Sequence, residues 1–176
     1  MNPRDLKFRT RDMRFGLSLD ESVVRKILLL CRQSEGVETG GILVGHYSKN
    51  HDWATVTDLS GPPADSRQGR AFFHRGVKGL QKWINELWSM KQRYFLGEWH
   101  YHPFASPEAS ADDERQMKDH SENIQLMCPE PIMLIVGGNP NGLWLTKAYV
   151  FPKGTSLCLM TEINLADAPE LLKHKE

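Results

Sequence analysis

The chain has 176 residues, enough to bury the core of one domain, and its 40% hydrophobic and 25% charged residues describe an ordinary soluble globule. Basic and acidic residues balance at 22 each, so no global field favours nucleic acid. Cys31, Cys128 and Cys158 are odd in number and far apart, which argues against a disulfide framework and for a reducing, cytoplasmic setting.

The opening stretch, residues 1–15, is locally basic but interrupted by Asp5 and Asp12, and it lacks the apolar run of a secretory signal. Residues 18–34 are predicted to form a helix. Ser18 and Glu21 have capping-box spacing, and Val24, Ile27, Leu28 and Cys31 recur at helical period. Residues 40–45 and 53–59 are predicted strands around a polar turn at 48–52. Residues 61–70, with two prolines and two glycines, are expected to be a loop and to supply a mobile flap.

A second helix is expected over 77–91, with Leu80, Ile84, Leu87 and Trp88 on one face; Trp83, Trp88 and Phe95 are assigned to the core. Residues 94–102 then form a strand, 110–127 a polar helix, and 132–136 a buried strand too short to span a bilayer. Residues 143–151 are the last predicted strand. The polar end, 164–176, is expected to be a frayed helix or disordered tail, which sets the domain at 1–160 and a tail at 161–176. The order of elements is α+β, with strands before, between and after helices.

Chemistry concentrates in Gly-Glu-Trp-His-Tyr-His-Pro, residues 97–103, and the segment that follows it. Alternate side chains of a strand share a face, so His100 and His102 point the same way with Cα atoms ~6–7 Å apart, near enough to converge on one ion. Pro103 ends the pairing, and Ser110 and Asp113 follow at a helix start. Two donors from a strand end and one from a helix start leave a fourth position open, which is the pattern of a catalytic zinc. Taken singly, His-X-His is commonly two half-buried histidines, and Ser110-Ala-Asp-Asp113 has the spacing of a capping box; the two uses of Ser110 are compatible. His46, His51, His74, His120 and His174 occur singly and read as surface or packing residues. Glu98, Glu108 and Asp112 are candidates to support the histidines from behind, although the preferred reading makes them solvated acids.

The combination of His100-Tyr-His102-Pro103, six residues, Ser110-Ala-Asp-Asp113, and an upstream Glu38 entering the Gly-Gly-rich strand Glu38-Thr-Gly-Gly resembles the JAMM (JAB/MPN) metalloprotease family over residues 17–152. Two departures stand beside the motif: Tyr101 is bulkier than the Ser or Thr often found there, and Ala109 replaces a Pro common in bacterial members. The resemblance implies a JAB/MPN fold with a curved mixed β-sheet packed between helices. It implies one zinc per chain held by His100, His102 and Asp113, with Glu38 as general base and Ser110 as hydrogen-bond donor to the oxyanion. The implied reaction is peptide or isopeptide hydrolysis.

The chain is most similar to bacterial JAB deconjugases encoded beside E1/E2-like ligases in antiphage (CBASS) and ubiquitin-like operons. That similarity implies a protein substrate conjugated through a flexible C-terminal tail, E1/E2-like operon partners, and no nucleic acid or membrane partner. Processing of a ubiquitin-like or sulfur-carrier precursor, a non-catalytic MPN scaffold, and a RadC-like DNA-repair protein remain alternatives. A flexible tail is best held by pairing with an exposed strand edge, for which residues 61–76 are the candidate.

Overall fold

The structure, a computed structural model, describes residues 2–163, so the expected tail from 164 onward lies outside the described residues. Among them are ten strands and three α-helices: β1 (Leu6–Thr10), β2 (Gly16–Leu19), α1 (Glu21–Gln33), β3 (Thr39–Tyr47), β4 (Trp53–Leu59), β5 (Arg67–Gly69), β6 (Phe72–His74), α2 (Leu80–Lys91), β7 (Tyr94–Pro103), α3 (Ala111–Glu122), β8 (Ile132–Gly138), β9 (Trp144–Val150) and β10 (Cys158–Glu162). The content is mixed, as expected. The sheet is more than the curved mixed sheet between helices implied above: eight strands close into a barrel in the order β1-β10-β9-β8-β7-β3-β4-β2.

Closure depends on three strands that the sequence reading did not find. Leu6 and Phe8 alternate with Lys7 and Arg9, a period of two whose basic half dominated the reading of this stretch, and β1 bonds to both β2 and β10. Strand β2 takes up Ser18, so α1 begins later than predicted. Asp20 is its N-cap, accepting from the Val23 N–H at 2.9 Å, while Ser18 Oγ accepts from Trp53 Nε1 at 3.1 Å. Strand β10 runs to Glu162, into the segment read as tail.

One face of all eight barrel strands joins α1 in the main core, from Leu6 and Leu17 through Leu43, Trp99 and Leu134 to Met160, with Val24, Ile27 and Leu28 from the helix. The other face carries smaller clusters: Ile42, Val44, Leu87 and Phe95 gather beneath α2, and Met117, Met133 and Ile135 beneath α3. Helices therefore do cover both faces. Phe95 is buried as expected and Trp83 is partly so, but Trp88 is 50% exposed, a correction to its core assignment, because Leu87 already occupies the inward position of α2.

One irregularity sets which side of β7 faces the site. Leu43 pairs with Gly97 but Val44 pairs with Phe95, so Leu96 is an extra residue, a β-bulge. Phe95 lies beneath α2 on the outer face, yet Leu96, Trp99 and Tyr101 all join the inner core. Strict alternation would put Glu98, His100 and His102 on the same side as Leu96. The bulge shifts the phase and turns them outward. Gly97 adopts φ +147°, and a Cβ there would sit 1.8 Å from the Ile132 carbonyl of the parallel neighbour β8. Gly97→Ala is expected to cost about 2–5 kcal/mol from strain and overpacking together, measurable as a lowered denaturant midpoint with unchanged slope.

Candidate metal centre

The predicted site residues converge from three elements. Strand β7 presents His100 and His102, the first turn of α3 presents Asp113, and Glu38 immediately precedes β3. In the β3–β7 ladder Thr39 opposes Tyr101 and Gly40 opposes His100, which brings the Glu38 end of β3 alongside the two histidines. Donor atoms of His100, His102 and Asp113 lie within 4.8 Å of one another, and no other such group of His, Cys, Asp and Glu occurs among the described residues. Two imidazoles and a carboxylate are donors suited to zinc.

Each of these donors is held by local chemistry. Ser110 is the N-cap of α3: its Oγ accepts from the Asp113 N–H at 3.1 Å, and its own N–H donates to Asp113 Oδ2 at 2.8 Å. The capping box is therefore real, and it is also what aims Asp113. Ser110 Oγ–H donates to the same Oδ2 at 2.7 Å. Asp113 Oδ1 lies 2.8 Å from His100 Nδ1, and Oδ2 lies 3.9 Å from His102 Nε2. Gly40 is required beside them, since a Cβ there would be 2.7 Å from the Phe73 ring and 3.0 Å from His100. Phe73 uses that space to set its ring edge-on to His100, with centroids 5.3 Å apart. Tyr101 faces the inner core and donates to the Gly138 carbonyl at 3.0 Å, so its bulk lies away from His100, His102 and Asp113.

The acids near the site divide. Asp112 and Glu108 are exposed, in ion pairs with Arg115 and Lys147, as the solvated reading expects. Glu98 overturns that reading: it is fully buried, because it follows the phase of His100 on β7 and lies beneath α3. Its Oε1 accepts from Arg75 Nε at 2.9 Å and lies 2.6 Å from His120 Nε2, while Oε2 accepts from Gln116 Nε2 at 2.9 Å. His120, read as a surface or packing residue, is thus partly buried against Glu98. The only sequence signal was its spacing, seven positions after Asp113 on the same helical face.

Burial sets the protonation behaviour against partners. It would push the His100 imidazole down, but Asp113 and Glu98 on its two sides raise it to about 9. Burial would push the Asp113 carboxyl up, but His100 and the Ser110 hydrogen bonds hold it at about 2. The Glu38 carboxyl is raised, by burial first and then by the Asp113 charge, with His100 opposing. Burial lowers His102. His100 Nε2 is 3.5 Å from Glu98 Oε2, an ionic approach too long and poorly aligned for a hydrogen bond, and it remains a buried nitrogen without a hydrogen-bond partner. On its other side His100 Nδ1 faces the Asp113 carboxylate, which His102 Nε2 also approaches, and two imidazoles converging on one carboxylate are a donor set that a cation completes.

The loop expected at 61–70 contains β5, which pairs with β6 as a separate two-stranded hairpin. Glu38 N–H donates to the Gly69 carbonyl at 2.8 Å and Gln68 Nε2 donates to the Glu38 carbonyl at 3.1 Å, so the hairpin is moored at the site.

A family model described as prokaryotic homologs of the JAB domain matches residues 20–148. A "CD-NTase/cGAS isopeptidase" of Enterobacter hormaechei is 36% identical over 93% of this chain and 90% of its own length. A namesake from Vibrio cholerae is 34% identical over 62% of this chain and 67% of its own. A "probable metalloprotease" of Sinorhizobium fredii is 27% identical over 75% of this chain and 81% of its own. In fold, the chain is similar to a Desulfitobacterium hafniense protein solved in solution, with TM-score 0.54 and 17% identity over 80% of this chain and 84% of the other.

Titration of the metal-free protein provides a check on the charged pair. His100 is raised above its ordinary 6.5, so its contribution to stability is fully present below that pH and is lost as pH rises through about 9. Asp113 is depressed to about 2, so its contribution is present above 3.8 and is lost as pH falls through about 2. The melting temperature of chelator-treated protein is expected to decline on the alkaline side between those His100 values. His100→Gln should remove that decline.

Proposed function

Because the chain belongs to the prokaryotic JAB family, we propose that it is a zinc-dependent isopeptidase, with His100, His102 and Asp113 holding one metal ion per chain. The observation that carries this reading is the complete and converging donor set, with Glu38 brought to the same end of the sheet. Zinc bound there would polarise the scissile carbonyl and acidify a water molecule, so that nucleophile and electrophile are both activated at neutral pH.

The protein's own groups do the rest. Glu38 takes a proton from the attacking water on its carboxylate and passes it to the departing amine. Its raised pKa brings it nearer the working pH than an ordinary glutamate. Ser110 in its resting state spends its hydroxyl hydrogen on Asp113 Oδ2. Rotation of that hydroxyl directs it to the oxyanion, while the Ser110 backbone N–H keeps Asp113 in place. Phe73 and the β5–β6 hairpin shield the His100 side of the site. The free edge of the hairpin suits an extended tail that has no fold of its own, whose backbone it pairs while the scissile bond lies over the ligands.

The substrate is a protein joined through its C-terminal tail to a target, and the reaction opposes an E1/E2-like ligase in antiphage defence. Supporting this choice, relatives from Enterobacter hormaechei and Vibrio cholerae bear the name CD-NTase/cGAS isopeptidase. By that likeness the conjugated protein is a CD-NTase-type signalling enzyme. Three free cysteines accord with a reducing compartment such as the cytoplasm, and no helix among the described residues is long and apolar enough to cross a membrane.

Glu38→Gln is expected to retain zinc and the fold while turnover of a CD-NTase conjugate falls ~10²–10⁴-fold, checked by metal analysis and gel-based cleavage. Activity close to wild type would sink the proton-transfer role. His102→Ala should lose zinc and activity together. Ser110→Ala should keep zinc, lower turnover, and cost ~1 kcal/mol through the lost cap.

A further inference from the structure

Glu98 lies outside the residues assigned so far, and a fully buried carboxylate needs a reason. Isolated, it would be strongly unfavourable; here every neighbour answers it. Its neighbours come from three parts of the chain. Arg75 follows directly on β6 of the hairpin and approaches Oε1 through both Nε, at 2.9 Å, and Nη2, at 2.8 Å. Gln116 and His120 come from α3, on the face that also presents Asp113. His100, one alternation further along β7, is 3.5 Å away. The hairpin that moors Glu38, the strand that carries both histidines and the helix that carries Asp113 therefore meet on one side chain.

We infer that Glu98 is a positioning residue: with Arg75, Gln116 and His120 it forms a buried clamp that sets the His100 ring and the register of α3, and thereby the distance between His100 and Asp113. The inference rests on the reading that these residues hold a metal. The ring of His100 stands between two carboxylates, Asp113 on the Nδ1 side and Glu98 on the Nε2 side. A ring held from one nitrogen presents the other in a defined direction, and partners of this kind tune metal affinity by orienting the ligand. The i, i+4 pair Gln116 and His120 does the same for the helix, because both oxygens of Glu98 are then occupied from α3 and the helix cannot rotate without breaking one contact. Burial strengthens the argument. Removing the carboxylate would leave Arg75, with a side chain 11% exposed, without its ion-pair partner.

The test uses the full chain, stripped with chelator and titrated with zinc against a chromophoric competitor, alongside the visible spectrum of the cobalt-substituted protein. Glu98→Gln is expected to weaken zinc binding ~10–100-fold and to alter the cobalt ligand-field bands. Glu108→Gln, an exposed acid, should change neither. His120→Phe leaves the Arg75–Glu98 pair intact and should weaken zinc in the same direction by less, while His120→Gln, which retains a donor, should return affinity toward wild type. It serves in place of Glu98→Gln should that variant not fold. Thermal melts of the metal-free proteins separate folding from binding. A clamp that merely supported the fold would lower the melting temperature and leave zinc affinity and the cobalt spectrum as in the wild type, and that result overturns the proposal. Wild-type protein that takes up no zinc overturns the metal reading as well.

Discussion

The bulge between Phe95 and Gly97 is the constraint on which the site depends. Strand geometry allows only two directions for a side chain, and β7 needs both: Trp99 and Tyr101 to fill the barrel, Glu98, His100 and His102 to face α3. The residues before them carry the opposite assignment, with Phe95 outside and Leu96 inside. One extra residue reconciles the two halves of the strand. Gly97 can occupy that position because it lacks the Cβ that would strike the parallel neighbour. The consequence is large relative to its cause. Without the shift, the ionisable residues of β7 would point into a hydrophobic core and its tryptophan out of it.

Once turned outward, those residues face an electrostatic problem that is solved collectively. His100, Asp113 and Glu98 are all buried, and a charge taken out of water is tolerated only when paired and hydrogen-bonded. The partners belong to different elements, so satisfying the charges also aligns the elements. The capping box at Ser110 works in the same way, since it satisfies the first turn of α3 and fixes the Asp113 carboxylate in one set of contacts. Packing decides the remaining placement. Gly40 leaves a gap that Phe73 fills, and through it the hairpin is seated on His100.

Much of this was legible in the sequence. The candidate donors could be placed from local information, two histidines at strand spacing and a serine and aspartate at cap spacing, while Glu38 and the roles expected of these residues came from the resemblance of the whole motif to the JAMM family. The helices and the central strands were likewise found from period alone. The short strands that close the barrel were not. Strand β1 has five residues and β2 four, too few for alternation to outweigh a basic composition, and both are stabilised by pairing with β10 and β4, far away in the chain.

What the sequence by itself determined is therefore the family and the candidate donor set, since residue type and spacing depend on covalent neighbours and on the fixed repeats of strand and helix. The closure of the barrel, the outward turn of β7 and the burial of Glu98 were decided only by tertiary structure. Strand period puts Glu98 on the face of His100 but does not say what covers that face, and Glu98 is sealed under α3 with Arg75, Gln116 and His120 while Glu108 pairs with Lys147 at the surface. Burial and partners are properties of distant segments brought together, and a linear pattern does not encode which acid will find itself in the middle of them.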